Sequence, residues 1–401
     1  MRTYAEVTVP DGCVTPASRD GWTTAFREES RRASLPMQES VVPHGGMNDM
    51  SLLSDTLAAI DPPDDYAAAT ARDRQSRLAK PAGALGPLED LGVRLAALAG
   101  TCPPPVPAPA AVAVFAGDHG VQTHGVTRWP QVVTRQMVAT FLSGGAVVNA
   151  LAAQSAAEVV IVDVGVAGSR FDPAPELLDR RVRPGTADMT HDAAMTLAEA
   201  HEAVEVGIDV ARSLVTAGNR ALLAGDMGIG NTTASAALIS VFADRHPSLT
   251  TGRGSGIDDA THEHKVKIVR RALDLHLPDR SAPMEALAAV GGLEHAALAG
   301  YVLGAAALRV PVVLGGMTAA AGALVAAALA PDSVHACVAG HRTADPGHVV
   351  ALAHLGLTPL TDMPLALGEG SGSVLTLPMV QAAARILHDV ATLDEAGIKS
   401  P

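Results

Sequence analysis

Short apolar runs alternate with long Ala-rich, helix-like stretches over most of this chain. The runs are AVAVFAGDHG (111–120), VVIVDVGV (159–166), RALLAGDMG (220–228) and VPVVLGG (310–316). Each is too short for a helix and too uniformly apolar for a half-exposed strand, so each reads as a buried strand of a parallel sheet. Between them lie segments such as Thr134 to Gln154 and Ala193 to Ala217. The alternation predicts an α/β fold, a doubly wound and mostly parallel sheet with helices on both faces. Ahead of it, DDYAAATARDRQSRLAK (64–80) has acids first and bases last, as the helix dipole favours. Pro87 to about Leu98 forms a second helix, with proline at its start, Gly100 after its end and Leu88, Leu91, Leu95 and Leu98 as its apolar stripe. TCPPPVPAPA then reads as a stiff linker. A last helix over about Leu377 to Ala391 is expected to pack back on these two.

This pattern divides the chain into an extension over residues 1–53, a small helical domain from 54–104 and 376–401, and a large α/β domain over 105–375. The extension has no sustained period and is expected to be flexible. The uncharged run Val310 to Ala330 is long enough to span a bilayer. It carries Pro311 and Gly315–Gly316, and reads instead as a buried strand followed by a helix from Thr318.

The 401 residues include 29 Lys+Arg against 42 Asp+Glu, a net charge of -13, which disfavours nucleic acid and acidic membranes as partners. Aromatics are only 2%, so base-stacking platforms are not expected and the core must be built from Ala, Val, Leu and Gly. Cys13, Cys102 and Cys337 are odd in number and widely spaced, which fits reduced thiols rather than a disulfide framework. With no apolar leader in MRTYAEVTVPDGC, the expectation is a cytoplasmic protein. Lys80, Lys265, Lys267 and Lys399 are the only lysines. A phosphate ligand would therefore lean on backbone N–H groups.

Gly225-Asp226-Met227-Gly228-Ile229-Gly230-Asn231-Thr232-Thr233 follows a strand and opens a helix. Glycines admit a ligand close to the backbone, and a helix N-terminus offers free N–H groups to an anion. Asn231 stands where a P-loop has lysine, so the loop suits a monophosphate or ribose phosphate better than a triphosphate. A tight glycine turn in a βα unit is the bland alternative. A second glycine cluster, Gly252 to Gly256 with Gly254 at its centre, precedes Lys265, a candidate phosphate partner. A third, Leu367-Gly368-Glu369-Gly370-Ser371-Gly372, isolates one carboxylate. In a dry cleft its pKa would rise, the tuning a general base needs. Asp163 is alone, so the paired acids of diphosphate-dependent transferases are missing. His119, His262, His264, His341 and His348 show no metal-binding spacing and read as satisfied or solvated.

Taken in order, these segments resemble the nicotinate-nucleotide–dimethylbenzimidazole phosphoribosyltransferase family of cobalamin nucleotide-loop assembly. The matching stretches are LAKPAGALGPLE (78–89), AGDHGV (116–121), VTRQM (133–137) with Gly144–Gly145, DMT (188–190), GDMGIGNTT (225–233), Gly252 to Lys265, VGGLE (290–294), ADPGH (344–348) and LGEGSG (367–372). The resemblance spans about 54–396. It implies a homodimer acting on nicotinate mononucleotide and a benzimidazole base, with no cofactor and no metal, since no pyrophosphate departs. The family's general base falls on Glu369. Its phosphate site falls on Asp226, Gly228, Gly230, Asn231, Thr232 and Lys265, with Gly254, Met137, Leu367 and Gly368 on matching stretches. There are departures. Asp226 replaces a common Glu. The family's L-D-G-F reads Leu314-Gly315-Gly316-Met317. Trp129 stands where a small residue is common. Met317 and Trp129 are thus expected to reshape the base pocket. Two alternatives stand beside this reading: a catalytically weak paralogue that binds an azole or nucleotide as sensor or carrier, and a P-loop nucleotidase, which Asn231 disfavours.

Overall fold

The structure is a computed structural model, and it describes residues 51–399; the expected extension therefore lies almost wholly outside the described residues. Six strands form one sheet: β1 (Ala110–Gly117), β2 (Ala157–Gly165), β3 (Leu177–Asp179), β4 (Ala221–Met227), β5 (Val312–Leu314) and β6 (Cys337–Ala339). All pairs are parallel and the order is β3-β2-β1-β4-β5-β6. The four expected strands are present. The two edge strands, β3 and β6, have three residues each and carry too short a pattern to be read from sequence.

The helices are α1 (Leu52–Ala58), α2 (Asp65–Arg77), α3 (Pro87–Ala99), α4 (Val132–Leu142), α5 (Val147–Gln154), α6 (Leu197–Thr216), α7 (Asn231–Phe242), α8 (Pro247–Thr250), α9 (Asp259–His276), α10 (Pro283–Val290), α11 (Leu293–Ala307), α12 (Met317–Leu329), α13 (Pro346–His354) and α14 (Ser371–Asp389). β1 shows why the sheet is wound on both sides. Ala111, Ala113 and Phe115 face a core shared with α6, α7, α11 and α12. Val112, Val114 and Ala116 face a second core with α3, α4, α5 and α14. Every β1 residue is buried, as a central parallel strand requires.

Glycine sets the helix packing. A Cβ on Gly207 of α6 would lie 1.8 Å from the Ala297 carbonyl oxygen, and one on Gly300 of α11 would lie 1.8 Å from that of Val204. The two backbones therefore touch, and the scarcity of aromatics becomes a packing choice. The run Val310 to Ala330 is β5 followed by α12. The apolar stretch Val132–Gln154 is two helices, α4 and α5, broken at Gly144, whose φ is +75°.

Of the three expected domain boundaries, 104/105 falls between α3 and β1, while 53/54 and 375/376 fall inside helices. α1 begins before residue 54, and its Leu53 packs in the core of α6 and α11, with the Leu53 N–H donating to Glu205 Oε1 at 3.1 Å. α14 begins at Ser371, six residues earlier than the pattern suggests, because Pro378 sits inside it and masks its first turns. Its far end packs Leu387 among Ala68, Ala71, Val93, Ala96 and Ala97 of α2 and α3. One helix thus reaches from the sheet to the N-terminal helices.

Candidate active site

The strand order reverses direction between β1 and β4, and in open parallel sheets ligands bind beyond the carboxyl ends at such a point. The glycine motifs meet there. β4 ends at Met227, and Gly228 to Gly230 turn the chain into α7, whose first residue is Asn231. Gly230, with φ +97°, turns the chain into α7, where the Asn231 and Thr233 N–H groups donate to the Gly228 and Gly230 carbonyls at 3.1 and 2.9 Å and the Thr232 N–H stays open among the described residues. The turn is pinned from α4, where Thr134 Oγ1 accepts from the Ile229 N–H at 3.0 Å. Asn231 Nδ2 donates to Asp226 Oδ2 at 2.9 Å, so the residue in place of the P-loop lysine holds the loop acid.

Lys265 comes in from α9. It is buried, and its Nζ donates to Thr232 Oγ1 at 2.7 Å. Burial pushes its pKa down to about 8, against the partial support of Asp345. The Gly252–Gly256 loop closes over this pair. A Cβ on Gly254, whose φ is +50°, would stand 3.2 Å from Thr232 Oγ1 and 3.7 Å from Lys265 Nζ. A cation, a hydroxyl and the open Thr232 N–H at a helix N-terminus converge, as an anion cradle requires.

Glu369 occupies the turn between the exposed segment before it and α14. It is 6% exposed, and its φ of +68° is a left-handed conformation costing a non-glycine residue roughly 1–2 kcal/mol. The turn is forced against β4 and β5. A Cβ on Gly225 would meet the Glu369 carbonyl oxygen at 2.6 Å, and the Glu369 N–H donates to the Asp226 carbonyl at 3.2 Å. Burial lifts the Glu369 carboxyl to about 7; the Val148 N–H in the first turn of α5 opposes this, and the charge of Asp226 adds to it. Glu369 Oε2 has no hydrogen-bond partner among the described residues. Asp226 itself is raised to about 6 by burial and by the charge of Glu294. Gly368 lies against it, since a Cβ there would come 3.2 Å from Asp226 Oδ2.

The departures acquire a physical reading. A Cβ on Gly315 would stand 2.4 Å from the Ala224 carbonyl oxygen and 3.0 Å from Gly370 Cα. No side chain fits at 315 in this arrangement, because the Ala224 carbonyl of β4, with Gly370 beside it, occupies the space an acid's Cβ would need. Met317 is buried and packs on Gly347 at the start of α13, where a Cβ would meet its Cε at 2.5 Å. Met137 is half-buried, one turn beyond Thr134 on α4. Trp129 is 47% and Leu367 38% exposed. The Trp129 carbonyl accepts from Gln122 Nε2 at 3.3 Å, and Gln122 in turn borders Gly230.

Sequence reasoning missed a buried network under the anion loop. Glu294 Oε1 lies 2.7 Å from His119 Nε2 and 2.9 Å from His295 Nδ1, and His295 Nε2 is 2.8 Å from Ser235 Oγ on α7. Burial alone would lower the His119 pKa, but the Glu294 charge and hydrogen bond outweigh it and raise it, while the Glu294 carboxyl is held well below the usual range. Carboxylate-bridged histidines thus exist, although no sequence spacing announces them. The signal available was the pairing of AGDHGV at a strand end with VGGLE at a helix start. Asp163 is occupied elsewhere, accepting from Arg181 Nη2 at 2.7 Å and from the Val166 N–H at 2.9 Å. A cavity of about 760 Å³ lies between α2–α3 and the β6 edge and shares no lining residue with these loops.

The phosphoribosyltransferase family model matches residues 60–398. A nicotinate-nucleotide–dimethylbenzimidazole phosphoribosyltransferase of Salinispora tropica is 58% identical over 360 residues, covering 86% of this chain and 99% of its own. The protein of that name from Chloroflexus aggregans is 46% identical over 349 residues, covering 87% and 98%. Among solved structures, the nicotinate-nucleotide–dimethylbenzimidazole phosphoribosyltransferase of Thermus thermophilus superposes with a TM-score of 0.80 at 45% identity, covering 84% of this chain and all of its own. Sheet, loops and likeness together define a phosphoribosyltransferase. More closely, the chain belongs to the nicotinate-nucleotide–dimethylbenzimidazole phosphoribosyltransferase family.

Proposed function

We propose that this chain transfers 5-phosphoribose from nicotinate mononucleotide to 5,6-dimethylbenzimidazole, giving α-ribazole 5'-phosphate and nicotinate, with Glu369 as general base. The donor bears a pyridinium at C1', which leaves as a neutral ring nitrogen and needs no acid. The acceptor attacks through one ring nitrogen and must shed the proton on the other, so a single carboxylate suffices. Attack opposite the leaving group inverts C1' from β to α. The observation that carries the reading is the desolvated Glu369 carboxyl, with one unpartnered oxygen, on the turn packed against the strand that ends in the Gly228–Thr232 loop. That loop, Gly254 and Lys265 would hold the 5'-phosphate. Fixing both substrates beside one another can contribute roughly 7–11 kcal/mol to acceleration. Met137, Met317, Trp129, Leu367 and Gly368 would shape the base pocket. Mixing protein with mononucleotide and dimethylbenzimidazole and following nicotinate release tests the reaction; no release above background would refute it.

The same reading includes a homodimer in the cytoplasm, with small molecules and no nucleic acid or membrane as partners. Trp129, Val132 and Val147 leave apolar surface exposed before and along α4 and α5, the pair whose Val148 N–H reaches Glu369. A second copy covering that face would shelter the site. Sedimentation velocity giving a monomer at micromolar concentration would refute the dimer. For the domains, the reading keeps α2, α3 and the distal end of α14 as a helical unit beside the large α/β unit.

A further inference from the structure

A second convergence of side chains stands outside the catalytic loops. His124 closes the 3₁₀ turn Gly120–His124 that follows β1, while Asp188 and His191 lie on the segment between β3 and α6. His124 Nε2 is 2.6 Å from Asp188 Oδ2, and His191 Nδ1 is 2.9 Å from the same oxygen. The three ligand atoms all lie within 4.8 Å of one another. Two imidazole nitrogens and one carboxylate oxygen suit Zn²⁺, Co²⁺ or Ni²⁺, whereas Mg²⁺ favours oxygen alone.

The surroundings hold these groups in place. The Thr190 N–H and hydroxyl donate to Asp188 Oδ1 at 3.0 and 2.9 Å, which leaves Oδ2 to face the two rings. From α9, His264 Nε2 donates to the His124 carbonyl at 2.8 Å and His276 Nε2 to the Met189 carbonyl at 2.9 Å. Both backbones that carry ligands are thus braced, the kind of outer contact that orients metal ligands. Access is open, because the side chains of His124 and Asp188 are 20% exposed and that of His191 61%. The buried trio of His119, Glu294 and His295 lies beneath the anion loop and belongs to the site already described.

We propose that His124, Asp188 and His191 bind one divalent transition-metal ion, with water completing its coordination, and so tie the turn after β1 to the segment before α6. Around a tetrahedral ion with bonds of about 2.1 Å, ligand atoms stand about 3.4 Å apart. Opening the present 2.6 and 2.9 Å separations to that spacing takes side-chain shifts of less than about 1 Å. The ion has no part in the transfer chemistry. Its effect on the site is mechanical, since the same turn carries His119 and Gln122 against Gly230.

The test uses full-length, tag-free protein stripped with a chelator. Co²⁺ is titrated while its visible ligand-field band is followed, and Zn²⁺ affinity is measured by competition with a chromogenic chelator. One equivalent of each ion is expected to bind, with excess Mg²⁺ failing to displace it. His191→Ala, at an exposed position that should not affect folding, and Asp188→Asn should each weaken binding at least tenfold. Absence of a stoichiometric Co²⁺ band, displacement by Mg²⁺, or unchanged affinity in His191→Ala would each overturn the proposal.

Discussion

Glu369→Gln tests the burial of the carboxylate and its role together. Gln keeps the size and can occupy the same left-handed turn, so the substitution removes only the ability to ionise. In the unfolded chain the carboxyl titrates near its ordinary 4.5, and in the folded protein near about 7. Between those values the folded state holds the extra proton, so stability falls as pH rises from 4.5 to 7 and stays reduced above. At about 1.36 kcal/mol per pH unit, the rise amounts to about 3 kcal/mol. Gln carries no such penalty. In urea unfolding followed by circular dichroism, the variant should therefore exceed the parent by up to about 3 kcal/mol at pH 8, and the gap should close by pH 4.5. Turnover should move the opposite way. A positioned general base contributes about 10²–10⁴-fold, so nicotinate release should slow at least a hundredfold with both substrates still bound. Equal stabilities at pH 8 would refute the desolvation argument. Near-normal turnover would refute the base assignment.

Lys265→Ala should raise KM for the mononucleotide with little change in kcat; a pure kcat effect would argue against phosphate binding. Because burial lowers Lys265 to about 8 while Glu369 sits near about 7, kcat/KM should rise through pH 7 and fall as pH passes 8 and the amine loses its proton. A flat profile between pH 6 and 9 would contradict both assignments. Gly300→Ala should destabilise by about 1–3 kcal/mol or more, measured by thermal unfolding, because its Cβ would press on the Val204 carbonyl rather than on a movable side chain. Arg181→Met should cost about 3–5 kcal/mol by stranding the buried Asp163, while leaving KM for the mononucleotide unchanged.

The strands and helices most legible in the sequence are those whose burial is uniform. β1 and β4 are apolar at nearly every position because both faces of the sheet are covered, and α12 follows β5 with no polar interruption. Three-residue edge strands carry no comparable pattern. The start of α14 was hidden by Pro378, which a long buried helix tolerates through its packing. At the site, the glycine motifs could be read one at a time. Their meeting could not, because Asp226 and Glu369 are 143 positions apart and come together only by the winding of the chain.

Local composition and spacing were enough to specify a parallel α/β chain, three glycine-rich turns and one isolated carboxylate, because backbone freedom and burial leave marks at short range. Tertiary structure alone decided which groups share a charge environment. Glu294 and His295 of α11 against His119, Lys265 against Thr232, and the Asp188–His191 segment against His124 each join groups far apart along the chain. Electrostatic coupling depends on distance in space and on exclusion of water, and neither is written in the order of residues along the chain.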